Sequence, residues 1–347
     1  MNHPVRISIL MLLLGSTIAV SPTTTEAALF GGKSSRKYRQ LRDEGKKALE
    51  HYNFLQAEAS FRGALTEATP WGEKNSNYGE SLENLVGTLT FLHRNRDAEP
   101  FAELLVKAHL QRHGDKSIQY ASALYQHGKV LVQLGKPARA EGMLNRSHEI
   151  AINKQGVFSP SAGYAKIGLA QLRVTQNRLS DAEKYYEDAL KLMGEYRTRL
   201  RGVSGGAAVY KFNPKTRDVV YASLQQLWVL QQLGKLDKAD ESLKKLTKFV
   251  ESKLGQNHAV NVDLLLEAGR IEAARKNDKA AEEHFNSAMK LAEAMRSTSK
   301  FPIQLVTMEL FRFYGSRNRN VEAEKTGQEL QQLGVTNIVM TVPFPWD

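Results

Sequence analysis

Read for apolar and polar positions, the chain repeats one helical stripe seven times. The anchor is an alanine followed directly by an acid, at Ala57, Ala98, Ala140, Ala182, Ala239, Ala281 and Ala323. Four residues on stand Phe61, Ala102, Leu144, Tyr186, Leu243, Phe285 and Gly327; seven on stand Ala64, Leu105, Ser147, Ala189, Leu246, Ala288 and Leu330. Offsets of zero, four and seven lie along one face of a helix, so each copy predicts an amphipathic helix with a mostly apolar stripe. Successive anchors are 41, 42, 42, 57, 42 and 42 residues apart, which places an insertion between the fourth and fifth copies.

Twelve residues before each anchor stand Gly45, Val86, Gly128, Ala170, Leu227, Gly269 and Phe311, within a second helix-compatible stretch such as YASLQQLWVLQQL. Between the two stretches come LGKP, QNRL, LGKL, KNDK and RNRN, where Gly or Asn takes the left-handed conformation that ends a helix. Each copy is therefore a helical hairpin. Small residues let its two helices approach closely while Phe, Tyr or Leu fills the adjoining groove. A hairpin of this size cannot bury its apolar face alone, so each copy is expected to pack on the next.

On NRDAEPFAELLVKAHLQRHG, GKPARAEGMLNRSHEI, NRLSDAEKYYEDAL and LGQNHAV, the chain resembles the tetratricopeptide-repeat (TPR) family in its 42-residue, kinesin-light-chain form. The resemblance implies an all-α, TPR-type α-solenoid of about seven helical hairpins in a right-handed superhelix, covering residues 38–332 with an insertion near 194–218. Residues 333–347 form a tail or cap, in which Ile338, Val339, Phe344 and Trp346 cover the last repeat or dock a partner. The first and last copies are the poorer matches; in the seventh, Gly327 stands where a large apolar residue belongs.

The resemblance also implies a non-enzymatic scaffold that holds a peptide or protein segment in a groove lined by the first helix of each pair. An asparagine ladder serves that role in the kinesin type. Here Asn84, Gln126 and Gln225 fall on the ladder, but Gly168, Glu267 and Glu309 interrupt it. Tyr125, Tyr164, Tyr221 and Trp228 lie near the same positions and supply contact area at small entropic cost.

Charge adds a second reading. The 347 residues carry a formal net charge of +11, and two segments hold the excess: Lys33 to Lys47, with seven basic and two acidic residues, and Lys191 to Arg217, with seven basic and one acidic. Within them Arg36, Lys37, Arg39, Arg197, Arg199, Arg201, Lys211 and Lys215 are candidates for an anionic envelope component, a polymer or a membrane surface. The N-terminal MNHPVR, the 14-residue apolar run ISILMLLLGSTIAV and the small-residue SPTTTEAA form a Sec-type signal peptide over 1–27, cleaved after Ala27 or Ala28, with a basic linker over 28–37. The expected location is periplasmic or secreted, where nucleic acid is not an expected partner.

Chemistry finds little support. The chain has no cysteine, which excludes disulfides and thiolate metal sites. Around Ser204, GVSGG matches a nucleophile elbow in letters but lacks the parallel strands that make one. His109 and His113 lie four apart without the Glu of H-E-x-x-H, so they are expected to line a solvated helix face. No catalytic residue, cofactor site or metal ligand set is predicted.

Overall fold

Each predicted stripe is a helix in the computed structural model, which describes residues 35–50, 53–156, 159–202, 216–297 and 301–335. Among these there are fourteen α-helices and no strand, and none of the helices is long and apolar enough to cross a membrane. The segment expected to be a signal peptide, Ser204, Lys211, Lys215 and the tail from 336 onward lie outside the described residues.

The chain divides into two compact units between Thr175 and Gln176, in the turn of the fourth hairpin. The first unit holds α1 (Arg36–Glu50), α2 (Phe54–Ala68), α3 (Ser76–Phe91), α4 (Asn95–His113), α5 (Ile118–Gln133), α6 (Pro137–Gln155) and α7 (Pro160–Thr175). The second holds α8 (Leu179–Gly202), α9 (Thr216–Gln232), α10 (Leu236–Leu254), α11 (Val260–Ala274), α12 (Asp278–Ala294), α13 (Phe301–Ser316) and α14 (Asn320–Gln332). Odd helices are the first of each pair and even helices carry the anchor alanines. Six anchors are fully buried, while Ala323 in the last copy is half-buried.

The insertion predicted over 194–218 is helical at both ends. Helix α8 runs 24 residues where α4, α6 and α10 run 19, and nothing in EYRTRLR breaks a helix before Gly202. Residues 203–215, with the alternating AVYKF, lie outside the described set.

Volume is traded between the two helices of a pair. A Cβ on Gly45 would lie 2.5 Å from the Phe61 ring, on Gly128 2.8 Å from Leu144, and on Gly269 2.3 Å from the Phe285 ring. In the seventh pair the trade is reversed: Phe311 is the large residue, and a Cβ on Gly327 would meet its ring at 3.3 Å. Gly327 is therefore not a weak match but the small half of an exchanged pair.

The anchor's acid is a latch to the next repeat. Glu58 pairs with Arg94 at 2.6 Å, Glu99 with Lys136 at 2.6 Å, Glu183 with Lys235 at 2.6 Å and Glu282 with Arg319 at 2.6 Å. In each case the cation stands four residues before the next anchor, at the N-terminal turn of the following even helix. The two acids most withdrawn from water, Glu58 and Glu183, have side chains 9% and 6% exposed, which strengthens the attraction over that of a surface pair.

Turn chemistry follows one register, five residues before the anchor: His93, Gly135, Asn177, Gly234, Lys276 and Asn318 all have φ between 56° and 70°. In KNDK the left-handed residue is thus Lys276, while Asn277 at φ −92° precedes α12 as its N-cap. A left-handed lysine costs roughly 1–2 kcal/mol in backbone strain, part of which glycine gives back as unfolded-state entropy. Lys276→Gly is expected to stabilise the second unit by about 0.5–1 kcal/mol, read as a higher urea midpoint at unchanged slope.

Candidate functional site

The odd helices touch one another across successive hairpins, α3 with α5, α5 with α7, α9 with α11 and α11 with α13, and so form the inner layer of each unit. Offsets of four and three along these helices bring three residues per helix onto one stripe. In the first unit these are Glu80, Asn84 and Gly87, then Ser122, Gln126 and Lys129, then Tyr164, Gly168 and Gln171. In the second they are Tyr221, Gln225 and Trp228, then Asp263, Glu267 and Arg270, then Leu305, Glu309 and Arg312.

In the first unit, Tyr125 on α5 and Tyr164 on α7 meet with ring centroids 5.8 Å apart, tilted by 36°. Lys129 Nζ lies 5.5 Å from the Tyr125 centroid, within the range of a cation–π contact. Gln126 is half-buried beside them, and Asn84 is half-buried on α3 with its Nδ2 inside and without a hydrogen-bond partner. Gly168 leaves no gap in the ladder, because a Cβ there would sit 2.3 Å from the Leu144 side chain of α6. The first unit therefore brings Tyr125 and Tyr164 together, with Gln126 next to Tyr125 along α5, and leaves Asn84 one hairpin away.

The second unit is different in kind. Gln225 is 1% exposed, so its amide packs inside the unit and is not presented as an open groove contact. Tyr221 and Trp228 are half-buried on the same helix. On α11, Arg270 donates from Nη1 to Glu267 at 2.5 Å, and from Nε and Nη2 to both oxygens of Glu309 on α13 at 3.0 and 2.6 Å. Gln231 on α9 donates to the other Glu267 oxygen at 2.6 Å. The two glutamates that interrupt the ladder thus tie three inner helices together, α11 to α13 through the Arg270 guanidinium and α9 to α11 through the Gln231 amide.

Burial disfavours the charge on Arg270, but Glu309 and then Glu267 outweigh it and hold the group more firmly protonated than usual. Burial likewise opposes ionised Glu309, and the charge of Arg270 together with its hydrogen bonds brings the carboxyl below the ordinary range. Asp263 sits a turn before Glu267 and is pushed well above that range by burial, with Arg270 only partly offsetting it.

Elsewhere the predicted residues are dispersed. Arg36, Lys37 and Arg39 are exposed at the start of α1, and Lys37 pairs with Glu67 at 2.7 Å. Arg42 and Lys46 in the same basic segment both pair with Glu80, at 3.7 and 2.8 Å, so part of its charge is neutralised within the fold. Arg197, Arg199 and Arg201 lie on α8, with side chains outside the described set. His109 is not on a solvated face: it is buried over Gly79, 3.3 Å from Glu83, and stacks on exposed His113 at 5.6 Å. The His109 ring packs over Gly79 of α3, a cross-helix contact that His109 and His113 do not carry in their own spacing.

Comparison with known proteins agrees with this architecture. The family model described as tetratricopeptide repeat matches residues 119–195. A Rap protein solved in complex with Competence and Sporulation Factor has 12% identity and a TM-score of 0.59, covering 86% of this chain and 75% of that one. Aspartyl phosphate phosphatase F from Bacillus subtilis has 12% identity and a TM-score of 0.57, covering 88% and 72%. The apo form of RapI has 9% identity and a TM-score of 0.54, covering 86% and 97%. No curated protein matches the sequence. At these identities the likeness is one of fold.

Proposed function

From a chain whose helical pairs are tetratricopeptide repeats, we propose a non-enzymatic interaction scaffold that holds a peptide or protein segment on its inner helices, acting after export in the periplasm or outside the cell. The observation that carries this reading is the Tyr125–Tyr164 pair, half-buried on neighbouring inner helices with Gln126 and Lys129 beside it. Two rings give a rigid apolar platform, and the amide beside them supplies a donor and an acceptor for an extended backbone. The Rap protein of the same fold was solved with a bound factor, which is in keeping with such a role.

Selection of a displayed peptide library on the full chain tests it. Enriched peptides are expected to lose at least tenfold in affinity for Tyr125→Ala/Tyr164→Ala, a loss typical of aromatic anchors. Peptides that bind both proteins alike would place the binding surface elsewhere.

A further inference from the structure

One position in the repeat changes character from copy to copy. Thirteen residues before the anchor, Leu85, Leu169 and Leu310 fill the core of their repeats, while the other copies carry Glu44, Gln226, Ala268 and, in the third, His127. That ring is 2% exposed, and neither Nδ1 nor Nε2 has a hydrogen-bond partner. A buried polar group left unpaired costs free energy, so its presence in place of leucine calls for a physical reason.

Facing it from α4 are Glu99 and Glu103, one helical turn apart. One oxygen of each carboxylate and a ring nitrogen of His127 all lie within 4.8 Å of one another. We propose that Glu99, Glu103 and His127 are a binding site for a divalent transition metal of the zinc class. One imidazole and two carboxylates suit zinc, cobalt or nickel, and the nitrogen donor disfavours magnesium or calcium. Tetrahedral ligands on zinc stand roughly 3.4 Å apart, so a closure of up to about 1.4 Å, by two flexible glutamates, assembles three protein ligands and leaves a fourth position for water. Burial lowers the pKa of His127 and keeps the ring in the neutral form that binds metal.

Without metal the carboxylates are held by cations from α6 and the turn before it. Lys136 Nζ donates to both oxygens of Glu99 at 2.7 and 2.6 Å, and Arg139 reaches Glu99 at 3.4 Å and Glu103 at 3.1 Å. These side chains are 41% and 52% exposed, so a doubly charged ion can displace them into water. Metal and latch therefore compete for the same oxygens.

The protein contains its own control. In the second unit the equivalent positions are Glu183, Glu187, Lys235 and Lys238, with the same pattern of ion pairs, but Gln226 stands where His127 would be. Gln226 is 7% exposed in a comparable packed position. The first constellation has an imidazole and an arginine where the second has an amide and a lysine, and of these only the ring nitrogen is a good metal donor, so only the first should take up metal.

Calorimetric titration of the metal-stripped full chain with zinc(II), checked by the visible spectrum of the cobalt(II) form, tests the assignment. One ion per chain is expected. His127→Gln, which copies the sister interface, is expected to weaken binding at least tenfold, and Lys136→Gln/Arg139→Gln to strengthen it. Gln226→His is expected to raise the stoichiometry to two, a gain that misfolding cannot imitate. The proposal is overturned by a wild-type chain that shows no saturable uptake, by a stoichiometry of one in Gln226→His, or by uptake that survives His127→Gln and disappears in His109→Asn/His113→Asn.

Discussion

Arg270→Met is expected to destabilise the second unit by about 3–5 kcal/mol, the loss typical when one partner of a buried ion pair is removed and the other is left charged. In the native unit Glu309 ionises below the usual carboxylate range. A carboxyl depressed in this way contributes stability that is present above its unfolded pKa and is lost as pH falls through the depressed folded value. Removing the guanidinium reverses the sign, because burial then raises the carboxyls that Arg270 had stabilised. The difference from wild type should be largest near neutral pH and shrink as pH falls through the carboxylate range. Urea unfolding at pH 7 and pH 5 measures both quantities. A loss below about 1 kcal/mol with no pH dependence would mean that water reaches Glu267 and Glu309 and replaces the guanidinium. Replacing all three groups by apolar residues of similar size should restore most of the stability, since no charge is then stranded.

Gly269→Ala is expected to cost about 1 kcal/mol net, the overpacking penalty less the gain in helix propensity. Its new Cβ would stand 2.3 Å from the Phe285 ring, which itself packs edge-on against Phe313 with centroids 5.3 Å apart. Overpacking of this kind costs about 1–3 kcal/mol, more than the helix propensity that alanine returns, about 1 kcal/mol. Gly87→Ala is the control: that glycine is exposed within α3 with no atom within 4 Å of a Cβ, so only the propensity gain applies. The two substitutions should shift the melting temperature in opposite directions. If both raise it, Phe285 can move aside and the glycines are not what sets the helix spacing.

The hairpins were legible in the sequence because a helix buries every third or fourth residue, and that period leaves a linear trace at Ala57, Phe61 and Ala64 and in each later copy. The turns were legible for a similar reason, although Lys276 shows that position in the register outweighs residue preference. The candidate groove was only partly legible. Tyr125 and Tyr164 do meet, but Gln225 lies inside its unit, because a stripe on an inner helix runs from open surface into the contact with the next helix. Periodicity locates the stripe and does not say how deep each position lies.

What the sequence determined by itself is the unit of construction: two helices joined by a short turn, an alanine where they cross, an acid after it, and a spacing of 42 in most copies. Everything in it is local, set by residues within two turns of one another. What only the tertiary structure decided is who answers whom across the repeat boundary. Phe311 fills the space above Gly327, Lys136 and Arg319 close the latches of Glu99 and Glu282, and Arg270 joins Glu267 to Glu309. His127 likewise comes to face Glu99 and Glu103 from the next hairpin. Apart from Phe311 with Gly327, inside one hairpin, and Arg270 with Glu267, on one helix, these partners lie tens of residues apart, and their energies depend on burial and distance, quantities that exist only once the hairpins have stacked.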